Sequence, residues 1–162
     1  MFSTTYLKAE NINDSLVELA DSLMQQSEIK QTLDILSLSS IDSKSKISYH
    51  KLRLKKAEIL ITIGEYEKAL PIIFSVINQY QPNKRTKILI DAYNKLGKID
   101  LELRDYHFAA SHFNQAVEST PSKLDKSDLL AGIYNNLGIV YHKTEKYDSA
   151  LRYYQKAESI FF

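Results

Sequence analysis

The chain repeats itself. Gly97 and Gly138 lie 41 residues apart, Ala57 and Gly97 lie 40 apart, and around each of these small residues the same order of aliphatic, small and aromatic side chains returns. The fullest copy is Ala131–Ala157, AGIYNNLGIVYHKTEKYDSALRYYQKA. At about 100° per residue, Tyr134, Leu137, Gly138 and Tyr141 share one helical stripe, and Tyr147, Ala150, Tyr154 and Ala157 share a second beyond a short turn. The preceding copy carries Tyr93, Leu96, Gly97, Tyr106, Ala109, Phe113, Ala116 and Pro121 at the same places. Two amphipathic helices joined by a turn can bury such stripes only against each other and against the next pair, so the pattern commits the chain to stacked helix pairs. Glycine inside a helix costs about 1 kcal/mol relative to alanine, and a close approach of backbones is what compensates for it. Alanine is therefore expected to be nearly neutral at Gly138, and leucine to be destabilising.

Two weaker copies precede these. From His50 to Gln81, Ala57 stands in the glycine's place, Leu60 follows, and Gly64 opens the turn GEYEKAL into a helix anchored by Ala69, Ile73 and Val76, with Pro82 marking its exit. Before it, Leu16, Leu19, Ala20 and Leu23, then Ile29, Thr32, Leu33 and Leu36, recur at helical spacing without glycine or aromatics, as suits a terminal repeat. The copies span about 13–40, 50–82, 90–121 and 131–162 of a single domain. Ser39, Ser40, Asp42 and Ser43 are N-cap candidates for a helix starting near Lys44, and Ser122 with Asp125 resembles a capping box for the last repeat. Asp100 breaks the pattern: it holds the place of Tyr141, so that seam is either open to water or closed by a partner the sequence does not name.

Composition narrows the chemistry. A net charge of +1 over 162 residues gives no field to attract nucleic acid or an anionic membrane, and no apolar run approaches the roughly 18 residues of a membrane span. The absence of cysteine removes disulfides, thiolate metal sites and thiol nucleophiles. His107 and His112 are five apart rather than four, there is no HExxH, and the four glycines form no phosphate loop, so neither metal, cofactor nor catalysis is expected. Compartment is left open by these features, with the cytoplasm favoured, or the periplasm if a signal peptide has been removed.

The order aromatic-x2-Leu-Gly-x2-Tyr followed by Ala-x3-aromatic resembles the tetratricopeptide repeat. Its period of 40 to 41 residues resembles the long variants of bacterial peptide-sensing regulators, kinesin light chains and polarity scaffolds. The resemblance implies an all-α fold, a right-handed superhelical array of about four antiparallel helix pairs, whose first helices line a concave groove. It also implies a protein or peptide partner, within a larger bacterial signalling or transcription-regulating protein; the alternative is an architectural or oligomerisation module with no groove ligand.

Laid on that groove, the helical wheel selects Lys51, Lys55 and Glu58, then Asn94, Lys95 and Lys98, then Asn135, Asn136, Ile139 and His142. Asparagine amides there would bond a peptide backbone through donor and acceptor alike, and the lysines would meet carboxylates. Glu58 occupies an asparagine place of the two-carboxylate clamp found in chaperone-tail-binding relatives, so that clamp is not expected. At the C-terminus Ile160, Phe161 and Phe162 follow the most regular repeat without a covering helix, and self-association through them is expected. The same end is what a fragment of a longer array would show.

Overall fold

The computed structural model describes residues 15–22, 29–37, 46–80, 86–121 and 127–161, and every regular element among them is an α-helix. In chain order these are α1 (15–22), α2 (Ile29–Ser37), α3 (Lys46–Thr62), α4 (Tyr66–Ile77), α5 (Lys87–Glu102), α6 (Tyr106–Glu118), α7 (Asp128–Lys143) and α8 (Tyr147–Glu158). Helix α5 packs with α6 and α7 with α8, α7 also meets α5 and α6, and α2 packs on α3. The chain divides into two compact units, Met1–Val76 and Ile77–Phe162. Helices α5 and α7 begin three residues before the sequence marks at Ile90 and Ala131, because the chain is capped further upstream, while α3 begins at Lys46, close to the expected start near Lys44. Thr86 accepts from the Leu89 amide at 3.3 Å and Ser127 accepts from the Leu130 amide at 3.2 Å, each from an extended backbone. Ser127 is thus the cap of α7; the expected capping box at Ser122 and Asp125 lies outside the described residues, as do Pro82 and the cap candidates before α3.

Within the later pairs the turn is built identically. Gly64, Arg104 and Glu145 each take a left-handed φ of 78°, 62° and 60°. The following amide then reaches back to the last helical turn: Glu65 to the Leu60 carbonyl, Asp105 to Asp100 and Lys146 to Tyr141, each at 2.8 Å. This closes carbonyls that a helix end would leave unpaired. Glycine adopts the conformation without strain at Gly64, whereas Arg104 and Glu145 hold it against a side-chain penalty.

In the first unit Ala20, Leu36, Leu52 and Ile59 form a buried cluster, flanked by Leu16, Val17, Ile29 and Leu33. In the second, Ile90, Ala109, Phe113 and Ala116 of the α5/α6 pair pack in one cluster with Ile133, Leu137 and Val140 of α7. The glycines sit where the sequence places the closest contacts. A Cβ on Gly97 would lie 2.6 Å from Phe113 Cδ1, and one on Gly138 would lie 2.6 Å from Tyr154 Cδ1. The crowding at Gly138 exceeds what the sequence suggests; what spares it is that Tyr154 is only half-buried while Phe113 is fully enclosed.

The seam interrupted by Asp100 is closed from α6. His112 Nδ1–H donates to Asp100 Oδ2 at 2.6 Å, and the imidazole stacks on Tyr93 with ring centres 6.5 Å apart. Forty-one residues on, the same three places hold Tyr134, Tyr141 and Tyr153, where Tyr141 and Tyr153 stack at 5.2 Å and 5°. Burial raises the Tyr153 phenol above its usual pKa, and the neighbouring Tyr141 and Tyr134 act in the same direction. One seam therefore has a polar and an aromatic version. Asp100→Ala or His112→Ala should each cost about 1–2 kcal/mol, because both groups are about four-fifths buried and each removal orphans the other. The double variant Asp100→Tyr with His112→Tyr should recover most of that loss by transplanting the tyrosine stack. Urea titrations of all four proteins check this; additive losses in the double variant would show that the two seams are not interchangeable.

Candidate interaction surface

Helices α5 and α7 lie side by side, and their neighbouring faces meet through an amide bridge: Asn136 Nδ2–H donates to Asn94 Oδ1 at 3.3 Å. Asn94 is buried at this bridge and Asn136 half-buried. On the outward side of the bridge Asn135 and His142 are exposed and Ile139 is half-buried, while Lys98 is exposed one turn along α5. The His142 ring is held edge-on to Tyr147 with centres 5.5 Å apart, which ties the end of α7 to the start of α8. On the helical wheel these residues fall on one side of α5 and α7, a candidate polar ledge with an aliphatic centre.

Lys95 is a correction. The wheel makes it a groove cation, but the side chain is only 7 % exposed and its ammonium bonds Asp91 Oδ1 at 2.8 Å. The i,i+4 spacing of Asp91 and Lys95 was visible in the sequence and is the signal for this pairing. In the first unit Lys51 is exposed, whereas Lys55 is half-buried and pairs with Asp21 of α1 and with Glu58 Oε2 at 3.3 Å. Burial pulls the Lys55 pKa down, but its bonds to Asp21 and Glu58 outweigh this and leave it raised. The basic stretch expected from four lysines thus reduces to exposed Lys51 and Lys98, because carboxylates of the chain already answer Lys55 and Lys95.

Beside the ledge, Lys156 places its ammonium 5.0 Å from the centre of the Tyr153 ring and 5.6 Å from that of Tyr134. Nothing in the spacing distinguished Lys156 from a solvated lysine. At the C-terminal end Ile160 is half-buried and Phe161 is 63 % exposed, while Phe162 lies outside the described residues. Among the described residues no group of His, Asp and Glu could hold a metal ion, and no helix is long and apolar enough to cross a membrane.

The repeated glycine contacts and left-handed turns agree with what sequence comparison finds: the family model of the tetratricopeptide repeat matches residues 89–161. A stretch of 65 residues is also 40% identical to uncharacterized protein ycf37 of Cyanophora paradoxa, and it spans 40% of this chain and 36% of that protein, little more than a third of the relative's length. Among solved structures, BtubC of P. vanneervenii shares the fold with a TM-score of 0.79 at 17% identity, over 95% of this chain and 64% of that one. A structure of MamA shares it with a TM-score of 0.64 at 16% identity, over 91% of this chain and 77% of that one. At these identities the structural likeness is one of fold.

Proposed function

We propose that the second unit binds an extended, amide-rich or acidic peptide segment along the α5/α7 ledge, as the sensory or adaptor arm of a larger signalling or transcription-regulating protein. The observation that carries this reading is the Asn94–Asn136 bridge. It fixes two amides side by side on adjacent first helices, with Asn135 presented outward beside them. Primary amides offer both a donor and an acceptor, the pair a peptide unit needs, and pre-organised amides bind without further loss of rotamer freedom. Ile139 supplies an apolar contact between them, and Lys98 a cation for one acidic side chain of the ligand.

Peptides selected from a short random library on the wild-type chain provide the test. Asn135→Ala and Lys98→Glu alter exposed residues and should leave the thermal melt unchanged. Asn135→Ala should weaken a selected peptide by about 1 kcal/mol, roughly fivefold. Lys98→Glu should weaken an acidic peptide further, the more so at low salt, since exposed charges are screened over about 10 Å at 0.1 M. Lys95→Glu is the wrong reversal: it would set an acid beside Asp91 in a buried place and would unfold rather than report on binding. Selected peptides that bind both variants as well as wild type would move the site elsewhere and favour the architectural alternative.

A further inference from the structure

The tyrosine seam of the last pair holds a cation. Tyr134 of α7 and Tyr153 of α8 stand 6.1 Å apart at 37°, and the Lys156 ammonium lies 5.0 Å from the Tyr153 centre and 5.6 Å from the Tyr134 centre. Both distances are within the roughly 6 Å over which an aromatic face attracts a cation. Tyr141, stacked on Tyr153, steadies that wall. Both walls are half-buried and Lys156 is exposed. Among the described residues no carboxylate pairs with Lys156, so the rings are what hold its charge. The preceding pair supplies the comparison. Forty-one residues back, the four places hold Tyr93, Asp100, His112 and Gln115: with a carboxylate and an imidazole in place of two rings, the lysine is a neutral glutamine. The cation thus comes with the three tyrosines. Asp100 and His112 stay 19% and 21% exposed although α7 packs on their pair, so this side of a pair is not one that the following helices seal.

We propose that Tyr134 and Tyr153 form a binding site for a quaternary ammonium group, occupied in this structure by Lys156 as an internal stand-in. Chemistry favours that class over a primary ammonium. A ring face attracts positive charge but accepts N–H hydrogen bonds only weakly, and no carboxylate pairs with the resident cation. The three N–H groups of Lys156 therefore keep their water, which leaves the side chain exposed and weakly held. A trimethylammonium group carries the same charge with no N–H to satisfy, and its methyl groups bury apolar surface against both rings. Lys156 lies on the exposed side of α8, three residues beyond Tyr153, so its side chain can swing into solvent without disturbing the helix. Such a head is carried by a free solute of the choline kind or by a trimethylated lysine of a protein. The site uses none of the ledge residues, so it stands or falls independently of peptide binding there.

Choline chloride is the first probe, titrated into the intact chain with isotope-labelled tyrosine rings and compared with sodium chloride at equal ionic strength. It should shift the Tyr134 and Tyr153 ring resonances saturably, with a Kd of roughly 1–10 mM. Lys156→Ala should tighten binding about twofold to fivefold, because the resident cation no longer competes and alanine keeps the helix. Tyr153→Phe should bind as wild type does, whereas Tyr153→Leu and Tyr134→Leu should not bind. The uncharged analogue of choline, with carbon in place of nitrogen, should give no saturable shift. That analogue and Lys156→Ala leave both walls in place, so the outcome does not rest on the leucine variants folding. The second probe, N-acetyl-trimethyllysine methylamide, separates the sources: tighter binding than choline supports a site for a protein side chain, and weaker binding supports one for a free solute. No saturable shift up to about 100 mM of either probe, equal binding by the uncharged analogue, or equal affinity of wild type and Lys156→Ala overturns the proposal and leaves Lys156 as a strut of the tyrosine seam.

Discussion

Phe113→Ala is expected to destabilise the second unit by about 3–5 kcal/mol, the cost of removing a fully enclosed aromatic ring from a core that cannot collapse around the space. The ring is held on all sides: Gly97 lies beneath it, Ala109 and Ala116 flank it on its own helix, and the aliphatic residues of α7 complete the cluster. For a unit of this size each kcal/mol shifts the melting midpoint by roughly 4–8 °C, so the variant should melt more than ten degrees lower. Tyr154→Ala, at the equivalent place one repeat on, should cost distinctly less, about 1.5–3 kcal/mol, because its ring is only half-buried. Urea titrations followed by helical circular dichroism measure both. Equal losses would mean that α7 does not seal Phe113.

The second large effect separates the two glycines. Gly97→Ala should lose about 1–2 kcal/mol, since overpacking costs about 1–3 and the gain in helix propensity returns at most about 1. The new methyl group would meet Phe113 Cδ1 and Cε1 at 2.6 Å, and that ring has nowhere to go. Gly138→Ala should be nearly neutral even though the contact is as tight, because the half-exposed Tyr154 ring can turn away. Combining Gly97→Ala with Phe113→Leu should cost less than the sum of the two singles, as the smaller side chain admits the methyl. If Gly97→Ala and Gly138→Ala proved equally harmless in the same melts, the tight helix contact would not be what selects glycine at these places.

The polar features of the surface were legible only in part. Periodicity placed Asn94, Asn135 and Asn136 on one side of their helices and the family resemblance made those helices neighbours, but their bridge depends on the offset between α5 and α7, which no single helix encodes. The pairing of Lys95 with Asp91 follows from spacing within one helix and could have been read. That of Lys55 with Asp21 joins residues of α1 and α3, and that of Asp100 with His112 joins α5 and α6, so each needed the packed helices. Pro71 sits inside α4 although proline removes one backbone hydrogen bond, and burial of Ala69, Ile73 and Val76 keeps the helix running through it.

What the sequence alone determined is the set of helices, their pairing and the close contacts at Gly97 and Gly138. Those properties rest on periodicity and side-chain size, both carried by residues within a few turns of one another. What the tertiary structure decided is which charges are neutralised and which seam is polar. These depend on distances between helices, and the same lysine or tyrosine is solvated, paired or sealed according to the neighbour that packing brings to it.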